Sequence, residues 1–294
     1  MKSVREFCLM IELEDEIAED VINLESKVSN TLGNKLLSLA EEAVKDGITD
    51  KEFQILLKTA EEYGQTIDEH PYRMQMIFSY YCFALLEDKF LRAGIRTDIY
   101  KATVSDFKFR IYECREVYGF NGIFVAWWYS IACNLSLYKI GELEFEKTVA
   151  GFNYGLKGVK VKEGDEIIAL HIPPKTKINK EAITKAIKES YDYFGFSGKV
   201  AYQCESWLLY PAFANVFVKG GNVMEFRALF DILSSTDTAT FEDCWRVFKV
   251  GEIVNLDSLP RNTRLQENMY NHLKKGNPTG YGFGVLVFDG ENVI

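Results

Sequence analysis

Basic runs are missing from this chain, and so are arginine-rich segments. Lys and Arg total 34 against 43 Asp and Glu, a formal net charge of −9. Nucleic-acid backbones are bound through clustered Lys and Arg, so nucleic acid is not expected as the main partner. A small phosphate-bearing ligand, held locally, stays allowed. A long apolar run is missing as well. The most apolar stretch, residues 123–138, is interrupted by Ser130 and Asn134. It falls short of the roughly 20 residues that span a bilayer, so no membrane partner is expected. The first residues carry no apolar segment ending in a small-residue cleavage site, hence no secretion signal is read there. Cys8, Cys82, Cys114, Cys133, Cys204 and Cys244 form no CxxC pair and no metal-ligand spacing. His70, His171 and His272 are too far apart for a local zinc motif. The expectation is a cytoplasmic protein with reduced, buried thiols and no metal.

What is present is apolar and aromatic. Of 294 residues, 47% are hydrophobic, 26% charged and 14% aromatic, enough for a sizeable core in one large domain or two ordinary ones. Residues 16–28, 32–45, 50–63, 72–91 and 103–118 place apolar side chains three and four apart, which predicts helices. Gly33, Gly47, Gly64, Pro71 and Gly94 separate them. The helix from Tyr72 is apolar nearly all round and is expected at the centre of a bundle. Gly119-Phe120-Asn121-Gly122 reads as a hinge, giving a helical domain over 1–121 and a mixed domain over 122–294.

The second domain is organised around residues 165–211. Glu166-Ile167-Ile168-Ala169-Leu170-His171-Ile172 is a strand of the kind covered on both faces. Pro173-Pro174 stop it, because proline cannot donate to a ladder. Asn179 then caps a helix over 180–194, and a second strand follows over 199–204. A strand, loop, helix and strand in that order can hold phosphate at the helix N-terminus. Around this core, 143–146 alternates as a half-exposed strand and 155–161 as another. Helices are expected at 125–135, 208–217, 222–233 and 263–275. Residues 241–250 are ambiguous, with a lean to strand, and 281–289 is the last strand. The fold class is α+β.

Five fragments carry a resemblance. They are Lys139-Ile140-Gly141-Glu142-Leu143-Glu144-Phe145-Glu146, Leu170-His171-Ile172-Pro173, Cys204-Glu205-Ser206-Trp207-Leu208-Leu209, Asn222-Val223 with Phe226, and Leu259-Pro260 with Thr263 and Leu265-Gln266. In this order they resemble a bacterial family of acyltransferases with a helical N-terminal domain and a GNAT-like C-terminal domain. The resemblance spans roughly residues 95–290. It implies a mixed sheet flanked by helices that binds acetyl-CoA or another acyl-CoA as co-substrate and passes the acyl group to a small-molecule amine. The pyrophosphate would sit on the loop after the central strand, at Ile172, Pro173, Lys175, Thr176, Lys177 and Asn179. That loop departs from the usual pattern of an arginine or glutamine followed by spaced glycines, since it contains no glycine.

Acylation of an amine needs a base for the amine proton and an acid for the leaving thiolate. His171, at the end of the central strand, is the candidate base; a backbone-bonded core histidine is the plain alternative. Glu205, at the matching end of the next strand, could face the same cleft or be a solvated loop residue. Tyr210, at the start of the following helix, is where the resemblance implies the acid, with packing as the alternative. Cys204 as an acyl-carrying nucleophile is disfavoured against inert core. Glu142, Glu144 and Glu146 share a strand face, either as a site for a cationic amine or as a solvated surface. The glycines at 280, 282 and 284 read as a turn, not a phosphate loop. Two functions fit: an acyl-CoA-dependent N-acyltransferase, or a non-catalytic acyl-CoA or small-ligand binding or regulatory module on the same scaffold. Acyl length, acceptor and oligomeric state are not encoded in any motif.

Overall fold

Capping boxes start three of the helices: Ser3 with Glu6, Thr49 with Glu52, and Thr263 with Gln266. A computed structural model of the protein describes residues 1–294 as two units, Met1–Lys139 and Ile140–Ile294. The first is all-helical: α1 (Val4–Met10), α2 (Asp15–Leu32), α3 (Lys35–Ala43), α4 (Asp50–Gln65), α5 (Pro71–Arg92), α6 (Thr97–Val104), α7 (Asp106–Tyr118) and the short α8 (Ser130–Cys133). Helix α5 is buried on nearly every face, as its apolar pattern predicts. Pro71 stands at its first turn and the His70 ring accepts from the Tyr72 amide at 3.1 Å. Against α5, Phe7 meets Tyr80 and Phe107 edge-on with ring centres 5.4 and 5.3 Å apart.

Three details differ from the sequence reading. Helix α1 was not anticipated. The helix expected over 103–118 is broken at Ser105 into α6 and α7. The helix expected over 125–135 is a 3₁₀ turn, Ala126–Tyr129, followed by α8. Residues 122–136, expected with the second domain, lie with the helices. The Ile123 amide donates to the Tyr72 carbonyl, Ser130 to Asp50 and Asn134 to the Ile48 carbonyl, at 2.9, 2.8 and 2.7 Å.

The second unit is built on a six-stranded mixed sheet with the order β1-β2-β5-β6-β8-β7. Its strands are β1 (Leu137–Ile140), β2 (Leu143–Val149), β5 (Glu166–His171), β6 (Val200–Ser206), β7 (Asp231–Thr238) and β8 (Thr279–Phe288). Strands β3 (Tyr154–Leu156) and β4 (Val159–Val161) pair only with each other. Helix α9 (Lys180–Tyr193) makes the crossover between parallel β5 and β6, and Asn179 caps it by accepting from the Ala182 amide at 2.8 Å. Helices α10 (Asn222–Arg227), α11 (Cys244–Phe248) and α12 (Arg264–Lys274) complete the unit.

Register assigns the two faces of the sheet. Phe145, Leu170, Tyr202 and Cys204 point one way, toward α9, where the Ser190 and Tyr202 hydroxyls lie 3.1 Å apart. Ile167, Ala201 and Val285 point the other way. There they pack with Ala150 and Val161 beneath the β3–β4 hairpin. Residues 155–161, expected as one strand, are therefore a tight turn and parts of two strands. Lys157 and Gly158 both adopt positive φ in that turn (51° and 90°), the conformation a two-residue hairpin demands.

Three more expectations are corrected. Residues 231–233, assigned to the end of a helix, begin β7; its sequence is polar and its side chains mostly exposed, so no apolar alternation marks it. Its ladder bonds to β8 make it a strand. Residues 241–250 contain α11 and no strand. That helix has five residues, too few to display a 3.6 period. Residues 208–217 are two 3₁₀ segments, Trp207–Leu209 and Pro211–Asn215, rather than one helix.

Candidate active site

Strand β5 meets its neighbours unequally. It pairs with β2 over six positions, and β6 pairs with β8 over seven, but β5 and β6 pair only at Ile168–Tyr202 and Ala169–Gln203. Beyond that point β5 runs on to His171 and β6 to Ser206 without ladder pairing between them. The two strands thus diverge at this end of the sheet. Ala169 and Gln203 are paired in a parallel ladder and share a face, so His171 and Glu205, each two residues further, share it too. The two candidates from different strands are brought to one face of one opening.

His171 is about one-fifth exposed, and its Nε2 lies 2.8 Å from Oε2 of Glu146. Glu146 is two residues along β2 from Glu144, which sits opposite His171 in the antiparallel register. The contact is therefore diagonal across the strands, and it fixes one ring nitrogen against a carboxylate. Sequence reasoning placed Glu146 on an acidic strand face but could not pair it with a histidine 25 positions away. Glu144 is fully buried beside it. Glu205 is exposed, where solvent or a ligand reaches its carboxylate.

Tyr210 is elsewhere. It lies against Gly280, on the face opposite His171, because the even-numbered residues of β8 share the Cys204 face. Its hydroxyl donates to Asp237 at 2.5 Å, and burial, with that carboxylate beside it, pushes the phenol up to about 12. The structure thus leaves it apart from His171 and Glu205, with its proton committed. Cys204 is buried on that same opposite face, and burial raises its thiol to about 12. A thiol so far from ionising is core, as its sequence setting suggested.

The loop after β5 turns sharply. Pro173 and Pro174 are buried, and Lys175 takes the left-handed conformation, φ 63°, that a glycine would ordinarily supply. The Thr176 hydroxyl is within reach of the Pro173 and Glu142 carbonyls at 2.7 and 3.1 Å. The Lys177 amide donates to the Glu142 carboxylate at 3.2 Å, and the Asn179 side chain is used as the α9 cap. Ile172 is half-buried at the strand's exit. Of the six loop residues expected at the pyrophosphate, Thr176 and Asn179 thus have internal duties. The exposed side chains of Lys175 and Lys177, with Lys180 at the first turn of α9, supply the positive charge. Charge and helix end together fit a phosphate group.

Two family models match the chain: an N-acyltransferase N-terminal domain over residues 2–135 and a GNAT-like C-terminal domain over residues 137–286. The chain belongs to this acyltransferase family. No curated protein matches it. Among solved structures, it is similar to an acyltransferase in complex with decanoyl-CoA, at a TM-score of 0.69 and 17% identity, covering 96% of this chain and 86% of that one. An acyltransferase in complex with decanoyl-CoA and teicoplanin gives 0.63 at 16% identity, covering 97% and 99%. A mutant acyltransferase in complex with octanoyl-CoA gives 0.61 at 16%, with the same coverage. At these identities the likeness is one of fold, and it runs through both units of the chain.

Proposed function

We propose that the chain is an acyl-CoA-dependent N-acyltransferase acting on a small-molecule amine. The observation that carries this reading is the unpaired end of β5 and β6, with the His171–Glu146 pair and Glu205 on one face of it. Family membership and the acyl-CoA complexes of structurally similar acyltransferases support the choice of co-substrate. Backbone groups on the open strand edges would hold the extended arm of the acyl-CoA, and Lys175 and Lys177 its pyrophosphate. The amine nitrogen attacks the thioester carbonyl carbon, so a C–N bond forms as the C–S bond breaks. The imidazole of His171 takes the proton shed by the nitrogen, and that proton passes on to the leaving thiolate, directly or through solvent, which frees coenzyme A and restores the neutral ring. Glu146 holds the ring in place and balances the charge it gains.

One observation favours a non-catalytic binding module: Glu142 already occupies the Lys177 amide that an anion would use. Calorimetric titration with acetyl-CoA and decanoyl-CoA, followed by thiol release with an amine panel, separates the two. The enzyme reading expects micromolar binding, weakened about tenfold by Lys175→Ala/Lys177→Ala. It also expects thiol release that falls roughly 10²–10⁴-fold in His171→Ala and clearly in Glu205→Gln, with melting temperature little changed. Binding without thiol release from any pair selects the module, and absence of acyl-CoA binding overturns the enzyme reading and leaves only a module for another small ligand.

A further inference from the structure

The 40 residues between β7 and β8, with the ends of both strands, line a half-open cavity of about 600 Å³ that the transfer chemistry above does not use. Its size is that of a small-molecule site. Phe241, Ile253, Leu256 and Leu273 supply apolar wall, and Glu242 and Glu252 are its only charged lining residues. Two neighbouring cations outside the lining are paired, Arg246 with Asp243 at 2.9 Å and Lys274 with Asp257 at 2.5 Å. Val254, next in sequence to the wall residue Ile253, is 84% exposed. The Glu242 carboxylate is held in place, because the Tyr281 hydroxyl donates to its Oε2 at 3.0 Å. Tyr281 stands two residues along β8 from Phe283, which pairs with Glu205. Glu205, Phe283 and Tyr281 therefore share one face, and the row runs from the opening beside His171 to the cavity's acidic wall. Thr279, which lines the cavity, is four residues from Phe283, roughly 14 Å at the rise of a strand.

We infer that this cavity binds an apolar molecule bearing a cationic amine, and that it is where the acceptor's body docks. The inference rests on the N-acyltransferase reading for the word acceptor, but its chemistry comes from the cavity alone. Two carboxylates with no cation in the lining select a positive charge, and the apolar wall selects a hydrocarbon or aromatic body.

The test is equilibrium binding, read without turnover. n-Hexylamine, n-hexanol and hexanoate are titrated into the full chain by calorimetry, with tryptophan fluorescence as a second signal, since Trp207 packs 5.7 Å from the wall residue Phe241. Hexylamine is expected to bind saturably and at least tenfold tighter than hexanol, with hexanoate weakest. Glu242→Gln/Glu252→Gln should raise the hexylamine Kd about tenfold while leaving acyl-CoA binding and the melting temperature unchanged. Tyr281→Phe, which frees Glu242 without removing it, should give a smaller loss. Equal affinity for amine and alcohol, or hexylamine binding untouched by the double variant, overturns the inference, as does no saturable binding at all. Acyl-CoA binding is measured separately, so a failure of the cavity leaves the transfer reading standing. Failure of acyl-CoA binding alone leaves an amine site and removes only its role as acceptor.

Discussion

His171 and Glu146 come from adjacent antiparallel strands, and their contact is the interaction most exposed to a single substitution. Glu146→Gln keeps the shape but removes the charge that balances a protonated ring. We expect kcat to fall about tenfold with the acyl-CoA Kd unchanged, and Glu146→Asp to recover part of the loss; equal loss in both constants would point to a structural role instead. Tyr210 shows the opposite lesson. Its place at the start of the helix expected after β6, where the resemblance implies an acid, made it a candidate, but the faces of the sheet are set by register, and it packs on the face opposite His171.

Among the elements, the α2–α5 contact is polar and pH-sensitive. Arg73 donates to both carboxylate oxygens of Asp20, at 2.9 and 3.1 Å, and to Glu69 at 2.8 Å. Burial alone would raise Asp20, but hydrogen bonds from Arg73 and Asn121 outweigh it and hold the acid below its usual range; Glu69 is lowered likewise. A depressed folded-state pKa adds stability above the unfolded value near pH 4, and that stability disappears as pH falls through the folded value. Arg73→Met should therefore cost about 1–3 kcal/mol at pH 7. The gap from the parent should narrow below about pH 4, as read from urea midpoints across pH. Strand β8 offers a steric counterpart. A Cβ on Gly282 would lie 2.3 Å from the Leu209 carbonyl oxygen, because the 3₁₀ segment Trp207–Leu209 crosses close over the strand. Gly282→Ala is expected to lose at least about 1–3 kcal/mol in chemical denaturation, and a neutral result would show that the crossing segment yields. The glycines spaced by two in β8 thus serve packing on one face, not phosphate binding.

At the scale of the molecule, all six cysteines are buried and unbridged. Burial raises Cys8 to about 11 and Cys114 and Cys204 to about 12, and lifts Cys82 as well, so the native chain holds few thiolates at neutral pH. A thiol reagent such as dithiobis(nitrobenzoate) should find essentially no fast-reacting group in the native chain and six after unfolding in guanidinium. Two or more fast native thiols would refute the burial described here. The same property makes released coenzyme A thiol readable against a quiet background. No helix is long and apolar enough to cross a membrane, in keeping with the interrupted stretch around Ser130 and Asn134.

The amino-acid sequence alone determined the helical first half, the strand that begins at Glu166, the Asn179 cap and the acyltransferase resemblance. The first three rest on signals within a few residues of one another, apolar spacing, a capping side chain and a proline pair, and the resemblance rests on five short fragments in order. It also marked His171 and Glu205 as strand-end candidates. Only tertiary structure decided that these two share a face, that Glu146 reaches His171, and that Tyr210 does not join them. Pairing register between strands settles all three, and register depends on which residues far along the chain become neighbours. Strand β7 and the cavity beside it were hidden for the same reason: β7 carries no apolar pattern and becomes a strand through its bonds to β8.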